Sequence, residues 1–201
     1  MRSRFAFLLS ASFAALAVLV SAGACTGLDQ WAVDRLMPGA VFTSTEAGLA
    51  EALIPLYHTQ WDNAYSVAAN VVTLPASFVV SLVLVAWRSR RLAVLLVAAT
   101  AVETLCKHVL TRPELDAGMH ITAFDASFPS GHTIRTVIVA GAFAHPLTAL
   151  WAVCAIVLLQ LAGWHTPTDI LGGVLLGLLA LLLGGGARAL RARRLARPRA
   201  T

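Results

Sequence analysis

The sequence predicts an all-α fold: an integral membrane bundle of six transmembrane helices. Two observations carry that expectation. Of 201 residues, 58% are hydrophobic and only 12% are charged, with mean hydropathy +0.77, whereas an average soluble domain carries about 25% charged residues. A soluble globule of this size leaves too much surface wet to hide that apolar excess. The apolar residues also come in long runs, and at ~1.5 Å per residue these suffice for a ~30 Å hydrocarbon layer. At this length a single domain is expected.

The runs follow one another with clear punctuation. The first covers residues 5–22 and is expected to stay as a helix, because Ala22-Gly23-Ala24 before Cys25 is a poor lead-in for signal processing. Residues 24–63 form an outer loop, in which Glu46–Tyr57 reads as a short amphipathic surface helix with Trp31, Trp61 and Tyr65 as interfacial anchors. The second span covers 64–87 and the third 92–110, separated by Arg88-Ser89-Arg90-Arg91. The fourth covers 130–144, the fifth 147–164 and the sixth 170–183, with His145-Pro146 and Thr166-Pro167-Thr168 between them. The fourth is the shortest for its task, rising only ~22 Å as a helix. It must stand nearly upright with protein-covered ends, or continue through Pro146 with a kink.

Charge sets the orientation. Six crossings put both termini on one side, and Arg2, Arg4, Arg88, Arg90, Arg91 and the six arginines of the 186–201 tail then share it. That side is the cytoplasm by the positive-inside tendency, in a multi-pass protein of the cell membrane. The acidic residues apart from Glu103 fall on the opposite, outer side. The tail reads as an anchor to anionic membrane lipids; with no aromatic residues interleaved to stack bases, nucleic acid is not expected as a partner. Three cysteines without a spacing pattern indicate neither a disulfide framework nor a metal site.

Three polar stretches reach the outer face: Lys107-His108-Val109-Leu110-Thr111-Arg112-Pro113, Pro129-Ser130-Gly131-His132 and His165-Thr166-Pro167-Thr168-Asp169. Ionisable groups at a membrane edge are costly and usually functional. Lys107 and Arg112 offer cationic donors suited to phosphate. Ser130 and Gly131 open a helix, whose free N–H groups and positive dipole end favour an anion, and glycine lets backbone approach it closely. His165 and Asp169, four residues apart, share a helical face, so the carboxylate can fix the imidazole tautomer. His132 can supply a proton to a leaving alkoxide. The set describes phosphoryl transfer through a phosphohistidine, with no metal and no cofactor.

Pro-Ser-Gly-His followed some thirty residues later by His-x-x-x-Asp, with Lys and Arg-Pro upstream, resembles the type 2 phosphatidic acid phosphatase superfamily over Leu92–Gly184, roughly half the chain. The resemblance implies a six-helix lipid-phosphate phosphatase with His165 as nucleophile, Asp169 as its orienting partner and His132 as acid. Lys107, Ser130 and Gly131 would hold the phosphate. The implied substrates are phosphatidic acid, phosphatidylglycerol phosphate or a polyprenyl diphosphate. A lipid phosphotransferase and a non-catalytic binder of polyprenyl or other lipid phosphates remain alternatives.

The motifs depart from the family pattern in two places. Four residues rather than six separate Lys107 from Arg112, which leaves Glu114 at the usual arginine position; Leu158 and Leu159 stand where Ser-Arg is expected. Arg112 and Arg135 are the candidate replacements, Arg135 lying three residues after His132 on the same helical face. A guanidinium at that depth needs a partner, and Arg135 is expected to fill the space opened by Leu159. Glu103, one turn before Lys107, either pairs with Arg135 or orients Lys107. Gly172, Gly173 and Gly177 form a small-residue pattern expected to pack helices within the protein.

Overall fold

The structure is a computed structural model and describes residues 2–36, 64–113, 115–116, 120–121 and 127–185. The surface helix expected over Glu46–Tyr57, the anchor Trp61, Glu114 and the arginine tail lie outside these residues. The described chain is all-helical apart from one two-residue antiparallel pair, β1 (Leu115–Asp116) with β2 (His120–Ile121).

Helix α1 (Arg2–Ser21) ends at a turn through Gly23, whose φ of +74° suits glycine. A Cβ there would lie 2.8 Å from Pro113 Cγ, so the exit from α1 rests on the loop after the third span. Helix α2 (Thr26–Leu36) follows, where the sequence suggested only loop. Its Asp29, Ala32 and Val33 turn inward, while Leu28 and Trp31 are exposed.

The second expected span is not one continuous helix. Pro75 lacks an amide hydrogen and clashes with the preceding turn, and the chain divides into α3 (Ala64–Thr73), a 3-10 turn (Leu74–Ala76) and α4 (Phe78–Arg88). Ser89 caps α5 (Arg90–Val109), accepting from the Leu92 amide.

The fourth span is α6 (Gly131–Phe143), only 13 residues. It stops at Ala144, a left-handed residue with φ +51°, and does not continue through Pro146. His145 instead caps α7 (Pro146–Leu161), with Pro146 in the first turn, where a missing amide hydrogen costs nothing. Thr166 then opens α8 (Pro167–Gly184).

Four segments are long and apolar enough to cross a membrane: Arg2–Ser21, Val67–Arg88, Arg90–Val109 and Pro167–Gly184. Helix α7 is apolar but shorter, so the described helices meet the six-span expectation only in part.

Helix α6 is the axis of the bundle, packed by α4, α5, α7 and α8. Its Ile134, Ile138 and Val139 meet Val85, Leu96, Ala99, Leu176 and Ala180. Being wrapped by protein explains how so short a helix can carry Thr133, Arg135 and Thr136 buried along it. The surrounding helices turn Phe7, Val83, Val94, Leu105, Leu147 and Val153 outward. Gly172, Gly173 and Gly177 face α6 and the residues just before it: a Cβ on Gly173 would lie 2.7 Å from the Ser130 carbonyl oxygen, and one on Gly177 2.8 Å from Val137 Cβ. The small-residue stripe is thus an internal helix contact.

The two ends of the bundle differ. At one end Arg2 donates to the carbonyls of Leu182 and Leu183, and Arg88 lies 5.7 Å over the Phe143 ring with its Nε donating to Ala142 O. The polar motifs collect at the other.

Candidate functional site

The third motif is built by two helix signals acting together. Gly163, in the left-handed region at φ +72°, ends α7: its amide and that of Trp164 return to the carbonyls of Gln160 and Leu159. This delivers His165 directly to the start of α8. There Thr166 and Asp169 form a capping box: the Asp169 amide donates to Thr166 Oγ1 at 3.4 Å, and the Thr166 amide donates to Asp169 Oδ2 at 2.9 Å. The spacing read as His-x-x-x-Asp chemistry is therefore also a helix start, and the box fixes the carboxylate beneath the ring.

His165 Nδ1 lies 3.8 Å from Asp169 Oδ2, an ion-pair distance rather than a hydrogen bond, and among the described residues this buried ring nitrogen has no hydrogen-bond partner. The reason is competition. Asp169 Oδ1 accepts from Arg112 Nη1 at 3.1 Å, and Oδ2 accepts from Ser127 Oγ at 2.7 Å as well as from the Thr166 amide.

Arg112 departs from its expected role. Its Nη2 donates to Asp29 Oδ2 at 2.8 Å while Nη1 reaches Asp169, Thr166 Oγ1 and Ser127 Oγ, and the side chain is 4% exposed. A guanidinium so enclosed holds the protein's own carboxylates; it is not placed as a phosphate ligand. Asp29, fully buried, also accepts from the Thr168 amide at 3.1 Å and the Thr168 hydroxyl at 2.5 Å. Sequence reasoning missed Asp29, leaving it in the outer loop. The available signal was an acid sharing one helical face with Ala32 and Val33, a position that demands a buried cation.

The second motif lies alongside. Ser130 caps α6, its hydroxyl accepting from the Thr133 amide at 3.3 Å and from the Thr133 hydroxyl at 3.0 Å. The Ser130 amide donates to the Asp169 carbonyl oxygen at 3.0 Å, which joins the second motif to the third. His132 follows one residue into the helix. Its ring centroid is 6.3 Å from that of His165 and 5.8 Å from that of Trp164. The two imidazoles, from stretches 33 positions apart (165 − 132), flank one space.

Across that space lies a second ionic group. Lys107 Nζ donates to Glu103 Oε1 at 2.8 Å, and Arg135 Nη1 donates to Glu103 Oε2 at 3.1 Å. Glu103 thus takes both of the roles the sequence left open. Arg135 Nε also donates to the Ala76 carbonyl at 2.7 Å, in the 3-10 turn that Pro75 creates. The guanidinium thus engages Glu103 and that turn. Among the described residues, the cations of Lys107 and Arg135 act electrostatically on His132. Gly131 also makes room for Glu103. A Cβ there would lie 1.9 Å from Glu103 Oε1, so its bare Cα accommodates a carboxylate of the same chain.

Two other histidines take helix roles. His145 caps α7, and His108 Nδ1 lies 2.7 Å from the Thr104 carbonyl one turn back. Comparison with protein-family models, with curated proteins and with solved structures found no significant match.

Proposed function

We propose that the chain is a six-span membrane phosphatase that hydrolyses a lipid phosphate or diphosphate through a phosphohistidine, as its resemblance to the type 2 phosphatidic acid phosphatases implies. The observation that carries the reading is the pair of imidazoles, ring centroids 6.3 Å apart, beside the start of α6, with a carboxylate behind His165 and two cations acting on His132. A single phosphorus atom between them can be attacked from one side and lose its leaving group on the other.

In this scheme His165 Nε2, opposite the nitrogen that faces Asp169, attacks phosphorus. The P–O bond to the lipid breaks, and the departing alkoxide takes a proton from His132. Lys107, Arg135 and the start of α6 stabilise the equatorial oxygens. Water then attacks the phosphoryl group and gives a proton to His132 as the P–N bond breaks, which restores both rings. Asp29, Arg112 and Asp169 hold His165 in place rather than touching substrate.

The proposed orientation has both termini in the cytoplasm and the site at the outer face of the cell membrane. Its support is that Arg2 and Arg88 share one end of the bundle, with the polar motifs at the other. At headgroup depth the phosphate can reach the site while its chains stay in lipid.

The test is phosphate release from phosphatidic acid, phosphatidylglycerol phosphate and a polyprenyl diphosphate, with EDTA present. Wild type should turn over at least one of them and form an acid-labile phosphoenzyme. His165→Ala should lose both signals, and unchanged release by that variant would overturn the reading. One observation favours a non-catalytic lipid-phosphate binder as the second reading: Glu103 already engages the two cations nearest His132. That reading predicts tight binding with no phosphate release from any of the three lipids.

A further inference from the structure

Glu103 is a buried carboxylate shared by one cation from its own helix and one from α6, and it rests against the bare Cα of Gly131. Lys107, Arg135 and the first turn of α6 are the groups on which the phosphate reading depends. An oxyanion supplied by the protein therefore already engages them. We propose that Glu103 is a specificity-determining residue: its carboxylate holds the phosphate seat against singly charged phosphodiesters and yields it only to a doubly charged terminal phosphate.

The inference rests on the phosphate reading above and follows from the charges. Lys107 and Arg135 bring two positive charges and Glu103 one negative, leaving one in excess. A phosphodiester carries a single negative charge, the same as the carboxylate it would have to replace, and gains nothing by the exchange. A terminal phosphate carries about −1.5 to −2 at neutral pH, so it binds the same donors more strongly than a carboxylate does.

Each group also has a suitable range of movement. Arg135 has a second anchor in the Ala76 carbonyl, which does not depend on Glu103. Lys107 is 29% exposed and can follow the incoming ligand. Glu103 swings on a flexible side chain. The consequence is selectivity where it is most needed: at headgroup depth a site is surrounded by diester phospholipids in large excess, and a carboxylate in the seat keeps them out.

The experiment measures binding in a His165→Ala background, so that nothing is consumed, with short-chain phosphatidic acid as the dianion and short-chain phosphatidylglycerol as the monoanionic diester. With Glu103 intact, phosphatidic acid should bind at least about tenfold more tightly, because its second negative charge meets the same two cations at contact range. Glu103→Gln, which keeps an acceptor oxygen but removes the competing charge, should tighten both lipids by about tenfold and so admit phosphatidylglycerol. Glu103→Asp, which keeps the charge, should leave phosphatidylglycerol as weak as in the parent.

Equal binding of the two lipids with Glu103 intact overturns the proposal even if the glutamine variant does not fold. Phosphatidylglycerol affinity that does not rise in Glu103→Gln overturns it as well. Either result alongside normal phosphate release by wild type would leave the phosphatase reading standing; binding of neither lipid overturns the proposal, and the phosphatase reading falls with it if wild type also releases phosphate from none of the three lipid phosphates.

Discussion

Two ionic clusters flank the imidazole pair, and they are inversions of each other. In one, a single guanidinium, Arg112, lies between two carboxylates, Asp29 and Asp169. In the other, a single carboxylate, Glu103, lies between two cations, Lys107 and Arg135. The first is closed: Arg112 is 4% exposed and both carboxylates 0%, and hydroxyls and amides of Ser127, Thr166 and Thr168 complete the shell. The second is open at Lys107 and has a glycine where a side chain would intrude. Similar ions thus serve different ends. A saturated cluster of net negative charge fixes geometry, and an unsaturated one of net positive charge can exchange its anion.

The largest effect should come from breaking the closed cluster. Arg112→Ala leaves Asp29 and Asp169 buried without their cation, and unfolding in detergent should show a loss of about 3–5 kcal/mol. If Arg112 instead served substrate, the variant would lose activity with its stability intact. Asp29→Asn removes one charge but keeps an acceptor for Thr168, and should cost about 1–3 kcal/mol by the same assay. Turnover should fall with it, because Asp169 then draws Arg112 alone.

Ser130→Ala removes the α6 cap and should cost about 1 kcal/mol in thermal unfolding. Lys107→Ala sharpens the comparison from the open side. Stability should change by less than about 1 kcal/mol, as for a partly exposed pair, while KM for a lipid phosphate rises roughly tenfold or more. A large stability loss there would erase the distinction between the clusters.

Much of this was legible in the sequence because it is local. Thr166 to Asp169 is a capping signal, Ser130-Gly131 a helix start, and Arg88 to Arg91 a break between apolar runs. The expectation that Arg135 needs a partner also came from a local argument, the cost of a charge at that depth, and Glu103 fills it. The parts that were not legible depend on distant contacts. Asp29 meets Arg112 and Thr168 across 83 and 139 positions; its helical face shared with Ala32 and Val33 signals the need for a cation but does not say which one. Pro75 could be read as a break, but not that the Ala76 carbonyl beside it would receive Arg135. For Arg112, residue type and spacing suit a phosphate and a pair of aspartates equally, and only the three-dimensional neighbourhood shows Asp29 and Asp169 beside it.

The contact between Gly173 and the Ser130 carbonyl has one more consequence. Because that carbonyl lies 2.7 Å from where a methyl group would stand, any side chain at 173 pushes the α6 cap away from α8 and separates the two imidazoles. In a saturation mutagenesis scan, this position should score with the histidines rather than with the lipid-facing leucines of its own helix. Tolerance to substitution would then trace the boundary between scaffold and chemistry through a residue that has no side chain to contribute to either.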